Sequence, residues 1–169
     1  MKTLILLATL ATLNKNKKII LKIYGGGDCF DIIQNFVCPD NMTIMNCGLV
    51  PKGIVEDEMK RADFLINITN DLKTLVPSKI FELFSKCKPI INVISNKDDG
   101  SMQYFEKYPI CFNASWEKEL PKKIICEFND FICKNVNSVI DYEKVKTIYK
   151  ANTIENVVTN LLYYISVKK

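Results

Sequence analysis

Pro77-Ser78-Lys79, followed one turn later by Glu82, is the run in this chain best suited to chemistry. A helix opening at Pro77–Ser78 turns backbone N–H groups and the positive end of its dipole toward an anion. Lys79 adds a point charge, and Glu82 has two oxygens that can accept hydrogen bonds from neighbouring hydroxyls. The set suits a ligand that is anionic at one end and carries a diol close by. Each residue also has a plainer reading. Ser78 is a common N-cap type. Lys79 suits a solvated position. Glu82 and Lys86 make an i,i+4 pair in the order favoured on surface helices.

A second candidate is the glycine run Gly25-Gly26-Gly27 at the end of an apolar segment, followed by Asp28. Glycines at a strand's carboxyl end let the backbone approach a ligand, and they equally make a tight turn. The spacing is not G-x-G-x-x-G, because Phe30 stands where the third glycine belongs, so the dinucleotide fingerprint is absent.

Other chemistries are excluded by what the chain lacks. It has no histidine, which removes His-based triads and most zinc sites. Its seven cysteines (29, 38, 47, 87, 111, 126 and 133) form no CxxC pair. The apolar neighbourhoods of Cys87, Cys126 and Cys133 predict reduced, buried thiols in a cytoplasmic protein. Glu56-Asp57-Glu58 reads as a solvated helix start rather than a metal site. No metal or other cofactor is expected. The net charge of +4 comes from scattered lysines and gives no nucleic-acid footprint. A basic face still suits phosphates or peripheral contact with an acidic membrane, such as the inner face of the cytoplasmic membrane.

The elements that must position these residues alternate between short apolar strands and helices, which predicts an α/β fold with a parallel sheet and helices on both faces. At 169 residues the chain is one domain long. The opening run MKTLILLATLATL resembles a short signal-peptide h-region, but lacks a clear cleavage site and is too short to span a bilayer. The preferred reading is a buried or amphipathic helix on Leu4, Leu7, Ala8 and Ala11. Strands are expected at 18–23, 64–68 and 89–94, all three as buried apolar runs, at 42–46 and, at an edge, 110–113. Helices are expected at 30–36, 54–62 (with Ile54, Val55, Met59 and Ala62 inward), 120–133 (with Pro121 in its first turn), 141–149 and 153–165. The central helix opens at Pro77–Ser78 and carries a stripe of Ile80, Leu83, Phe84 and Cys87. In such a sheet ligands sit at the carboxyl ends of strands, which points to the loop from Thr69 to Ser78. The sequons at Asn41, Asn67 and Asn113 are chance matches in a cytoplasmic protein.

Three segments resemble the donor-binding, Rossmann-like half of the GT-B glycosyltransferases of the group 1 (family 4) type. They are ILKIYGGG (20–27), the stretch 48–67 with G-L-V-P and A-D-F-L-I-N, and PSKIFELFSKCKPIINV (77–93). Their order and spacing agree with the family across most of the chain. The resemblance implies a nucleoside-diphosphate sugar as substrate and hexosyl transfer with retention, as in polysaccharide biosynthesis. It implies base contact from Leu49, Val50 and Pro51, and donor contact from Gly25, Gly26 and Gly27. It implies diphosphate binding at Pro77, Ser78 and Lys79, and ribose binding at Glu82. The chain departs from the pattern at Thr74, where many relatives hold the sugar with a glutamate; Asp71 or loop amides are the substitutes. It also begins at what looks like the helix after the family's first strand, and the acceptor domain is absent. The expected partners are therefore a nucleotide-sugar and an acceptor-domain polypeptide, or self-association through an exposed apolar C-terminal helix. A non-catalytic binding or assembly module on the same fold is the alternative.

Overall fold

The computed structural model describes residues 1–69, 76–96 and 98–167. The chain is a Rossmann-like α/β protein in which every strand runs parallel to its neighbour, with helices on both faces. The first element is the helix α1 (Lys2–Leu13). Its buried residues are Thr3, Leu4, Leu6, Leu7, Leu10 and Ala11, a broader face than the Leu4-Leu7-Ala8-Ala11 stripe. Lys2 Nζ donates to the carbonyls of Ile94 (3.4 Å) and Trp116 (2.5 Å), which ties the start of this helix to the sheet's carboxyl edge. The far end is held by Asn41, whose amide nitrogen donates to the carbonyls of Ala11, Asn14 and Lys17 at 2.8–3.0 Å.

Strands β1 (Ile19–Tyr24) and β2 (Met42–Gly48) pair with each other, joined through the short helix α2 (Phe30–Gln34). Helix α3 (Lys52–Arg61) then leads to β3 (Leu65–Ile68), α4 (Lys79–Ser85) and β4 (Ile90–Ile94). After α5 (Met102–Phe105), a turn of helix that the sequence did not announce, the fifth strand β5 (Cys111–Ser115) lies beside β4. Three helices close the chain: α6 (Lys122–Asn135), α7 (Tyr142–Ile148) and α8 (Ile154–Val167).

The strands form two ladders, β1-β2 and β3-β4-β5, rather than one continuous sheet. Their order follows from which face each helix covers. One core joins α1 and α6 to Met42, Ile91, Val93 and Ala114, with Ile19, Leu21 and Ile66 against it. The N-terminus of α1 borders Asp31, Ile32 and Asn35, so α2 lies on that face too. The other core joins α4, α5 and α7 to Leu65 and Ile90, with Met59 and Ala62 of α3 against it. Right-handed crossovers on opposite faces add strands in opposite directions. The order across the molecule is therefore β2-β1, a break, then β3-β4-β5. The break is the topological switch point.

Several expectations need correction. β1 is half-buried rather than buried throughout, with Ile20 51% exposed, and Ile68 at the end of β3 is 61% exposed. Both stand on the sides of the break. In α3, Ile54 faces solvent and no residue is fully buried, because the helix spans the break instead of covering a ladder. Pro121 is the N-cap of α6 and not part of its first turn. Cys126 and Cys133 are exposed and Cys87 is buried; all seven thiols are free. The expected stripe on α4 holds for Ile80, Leu83 and Phe84, which are buried; Cys87 is buried too, but it lies past the end of the helix, with φ +55°.

Within the three-stranded ladder, Asn67, Asn92 and Asn113 stand in register. Asn67 Nδ2 donates to Asn92 Oδ1 and Asn92 Nδ2 to Asn113 Oδ1, each at 2.8 Å. Asn92 is completely buried, so this row of amides satisfies polar groups that would otherwise oppose burial.

Candidate functional site

Open α/β sheets bind ligands outside the carboxyl ends of the strands at the switch point. Here that place is framed by Gly25 after β1, Gly48 after β2 and Thr69 after β3. Gly25 has φ +127° and donates its N–H to the Gly48 carbonyl at 2.8 Å; Gly48 itself has φ +63°. Both conformations favour glycine. Gly26 and Gly27 differ: a Cβ on either would meet nothing within 4 Å. Neither backbone strain nor packing demands glycine there, and the space above the turn is open.

The Gly48–Gly25 bond brings the turn of Leu49, Val50 and Pro51 beside the glycine loop. Leu49 is 87% exposed, an apolar side chain held out at the sheet edge. Pro51 is the N-cap of α3, so Lys52 opens that helix. The Lys52 ammonium lies 3.7 Å from a carboxylate oxygen of Glu82 and 3.6 Å from one of Glu56. Thus the glycine loop, the Leu49–Pro51 turn and the first turn of α4 gather at one edge. Glu82 is a little over one-third exposed and its partner is Lys52, on another helix, rather than Lys86 as a surface pair would have it. Sequence spacing did not signal Lys52, because its partner is set by the tertiary fold.

The opening of α4 differs in detail from the expectation. Ser78 lies in the helical region of backbone space and makes no capping bond with its side chain. The N–H groups of Ile80 and Phe81 are closed by tight i−3 bonds to the carbonyls of Pro77 (3.2 Å) and Ser78 (3.1 Å). Among the described residues, the N–H groups of Ser78 and Lys79 have no such partner. The helix spans seven residues, so its dipole is that of two turns. Lys79 is exposed. Asp71 and Thr74, proposed from sequence to hold a sugar, lie outside the described residues.

At the neighbouring end of β1, Lys22 forms an ion pair with Glu58 of α3, and the bond from the ammonium holds the Glu58 carboxyl below its ordinary value. The Tyr24 hydroxyl is pushed up to about 12, first by lost hydration and then by Cys47 and Glu58 beside it. It is a neutral donor at any ordinary pH. Among the described residues, no three acidic, histidine or cysteine groups gather as a metal ion would require. No helix among those residues is long and apolar enough to cross a membrane. A separate cleft of about 410 Å³ lies at the carboxyl ends of β4 and β5, lined by Lys2, Ser95, Asn96, Ser115, Trp116 and Glu117. It is not where the sequence pointed.

Comparison with models of known protein families and with curated proteins finds no match.

Proposed function

We propose that this chain is the donor-binding half of a GT-B-like glycosyltransferase and binds a nucleoside-diphosphate sugar at the switch point. The observation that carries the reading is the convergence of Gly25–Gly27, Leu49–Pro51 and Glu82 on one sheet edge, linked through the Gly25–Gly48 bond and the Lys52–Glu82 pair. In this reading the base lies against Leu49–Pro51 and the ribose diol binds Glu82, displacing Lys52. The diphosphate is held by Lys79, Lys52 and the N–H groups of Ser78 and Lys79. The same groups stabilise the leaving diphosphate as its charge grows, with no metal ion required. Retention of configuration rests on the sequence resemblance. The acceptor comes from a second domain or polypeptide.

The test is calorimetric titration with UDP, GDP and their sugars. At least one binds the wild type, and Glu82→Ala weakens that binding by about tenfold or more, the loss of a charged hydrogen-bonding partner. Gly26→Val lowers affinity with unchanged thermal stability, since its side chain enters only the open space above the turn. No binding by any of these ligands sinks the proposal.

A second reading, a non-catalytic assembly module, draws on α8. Ile154, Val157, Leu161, Leu162 and Ile165 are each more than half exposed there. Sedimentation of the full chain against one ending at Thr153 separates the two readings. Concentration-dependent assembly that needs α8, without nucleotide binding, favours the module.

A further inference from the structure

Away from the sheet edge, the fold sets an amine against a thiol. Lys17 Nζ donates to Cys133 Sγ at 3.3 Å, joining residues 116 apart in sequence. Both side chains are exposed, so a small diffusible reagent reaches them. The backbone that carries each is fixed. Lys17 lies in the turn after α1, where its N–H reaches the Asn14 carbonyl and its own carbonyl accepts from Asn41 Nδ2, each at 2.8 Å. From the same turn, Asn14 Nδ2 donates to Asn129 Oδ1 of α6 at 2.7 Å. Asn129 lies one turn before Cys133 on the same face of that helix. The turn is thus docked on α6 at two levels, by a pair of amides and then by the amine and the thiol. Beneath them, Leu10 and Ala11 of α1 share a core with Phe128 and Ile132 of α6.

That arrangement selects one chemistry. Sγ and Nζ stand within the separation of about 3–3.5 Å from which positioned atoms react. Two nucleophiles do not combine directly, so a bond between them requires the sulfur to lose two electrons first. A hydroperoxide performs that oxidation on exposed thiols. The other two exposed thiols, Cys29 and Cys126, take no hydrogen bond from an amine among the described residues. Cys126 is also seven residues from Cys133 on the same helix, about 10 Å along its axis, which is beyond the reach of a disulfide.

We propose that Lys17 and Cys133 are a redox modification site, at which a hydroperoxide converts the pair to a sulfenamide cross-link between α6 and the turn after α1. The Cys133 sulfur attacks one peroxide oxygen and the O–O bond breaks. Sulfur becomes a sulfenic acid, and the second oxygen takes the thiol proton and leaves as water. The Lys17 ammonium gives a proton to solvent, and the free amine attacks the sulfur. The S–O bond breaks, and the sulfenic oxygen leaves as a second water. One thiol, one amine and one peroxide thus yield one S–N bond and two waters. Two equivalents of a small thiol reverse the step and are themselves oxidised to a disulfide. The cross-link stops the sulfur short of sulfinic acid, from which a thiol cannot recover it. This inference rests on the Lys17–Cys133 geometry and is independent of nucleotide binding.

The experiment treats the full chain with hydrogen peroxide and maps its tryptic peptides by mass spectrometry. The expected product is a peptide pair joining Lys17 to Cys133, about 2 Da lighter than its two parts, with no cleavage after Lys17. Dithiothreitol returns both peptides unmodified. Lys17→Arg keeps a charged donor beside the thiol and removes the nucleophilic amine. It abolishes the link, and dimedone then captures the Cys133 sulfenic acid in about fivefold or greater excess over the wild type. Oxidation of Cys133 to sulfenic and sulfinic acid in the wild type, to the same extent as Cys126 and with no lysine attached, overturns the proposal. So does a bond from Cys133 to another lysine or to a cysteine, or a cross-linked product found only at twice the chain mass.

Discussion

Glu58 shows how a single side chain ties together elements far apart in sequence. It accepts from Lys22 on β1 while sitting on α3, with Arg61 3.5 Å away and Tyr24 alongside. Because the folded chain holds its carboxyl below the ordinary 4.5, the unfolded chain binds a proton more readily. The resulting stabilisation is complete above that value and is lost as the pH falls through the lower folded value. Glu58→Gln therefore flattens the acid-side fall of the melting temperature between about pH 5 and 3, while costing stability at pH 7. A thermal scan across that range checks both signs. At this scale the sequence was informative about residue type and local spacing. It placed Glu82 one turn into α4 and Leu83 and Phe84 in the core. It offered Lys86 as the plainer partner of Glu82, because i,i+4 geometry is visible in a sequence and the approach of Lys52 from another helix is not.

The asparagine row is the corresponding device among strands. The pattern I-N-I, I-N-V and F-N-A recurs in β3, β4 and β5, and each asparagine occupies the same level of the ladder. A one-residue slip of any strand would break the row and turn its apolar residues to the wrong face. Asn92→Ala leaves the Asn67 donor and the Asn113 acceptor without their shared partner. It should lower stability by about 2 kcal/mol, measured by urea unfolding at unchanged m-value. The recurrence stands in the sequence, but only the strand register gives it meaning. Element identities followed from apolar periodicity, and the stripe on α4 landed on the aromatic core. There Phe84 stacks on Tyr149 and Tyr108, with ring centroids 4.6 and 4.9 Å apart. The break in the sheet was not legible in the strands themselves. An apolar pattern identifies a strand without naming the neighbour on either side, so β1 read as fully buried when one edge is open.

For the whole molecule, the order β2-β1, break, β3-β4-β5 places the candidate site at the switch point between two cores, one beneath α1 and α6 and the other beneath α4, α5 and α7. Helix α8 belongs to neither core. Its described side chains are exposed except that of Asn156, whose backbone N–H donates to Thr153 Oγ1 at 3.3 Å. Deleting the chain after Thr153 should change the melting temperature by less than about 3 °C, by scanning calorimetry. A larger loss would mean that this helix supports the fold directly. The amphipathic pattern of α8 was plain in the sequence, yet amphipathicity specifies a face to be covered and not the surface that covers it.

The anchoring of α1 has a consequence for where such a chain can travel. Asn41 heads the triplet Asn-Met-Thr and Asn67 the triplet Asn-Ile-Thr, both acceptor sequences for N-linked glycans. The nitrogen that a glycan would take is in each case already engaged, on three main-chain carbonyls for Asn41 and on Asn92 for Asn67. In a compartment that attaches sugars during synthesis, the oligosaccharide and the native turn would compete for the same atom. The chain can wear glycans at those two positions or close its fold around them, but not both.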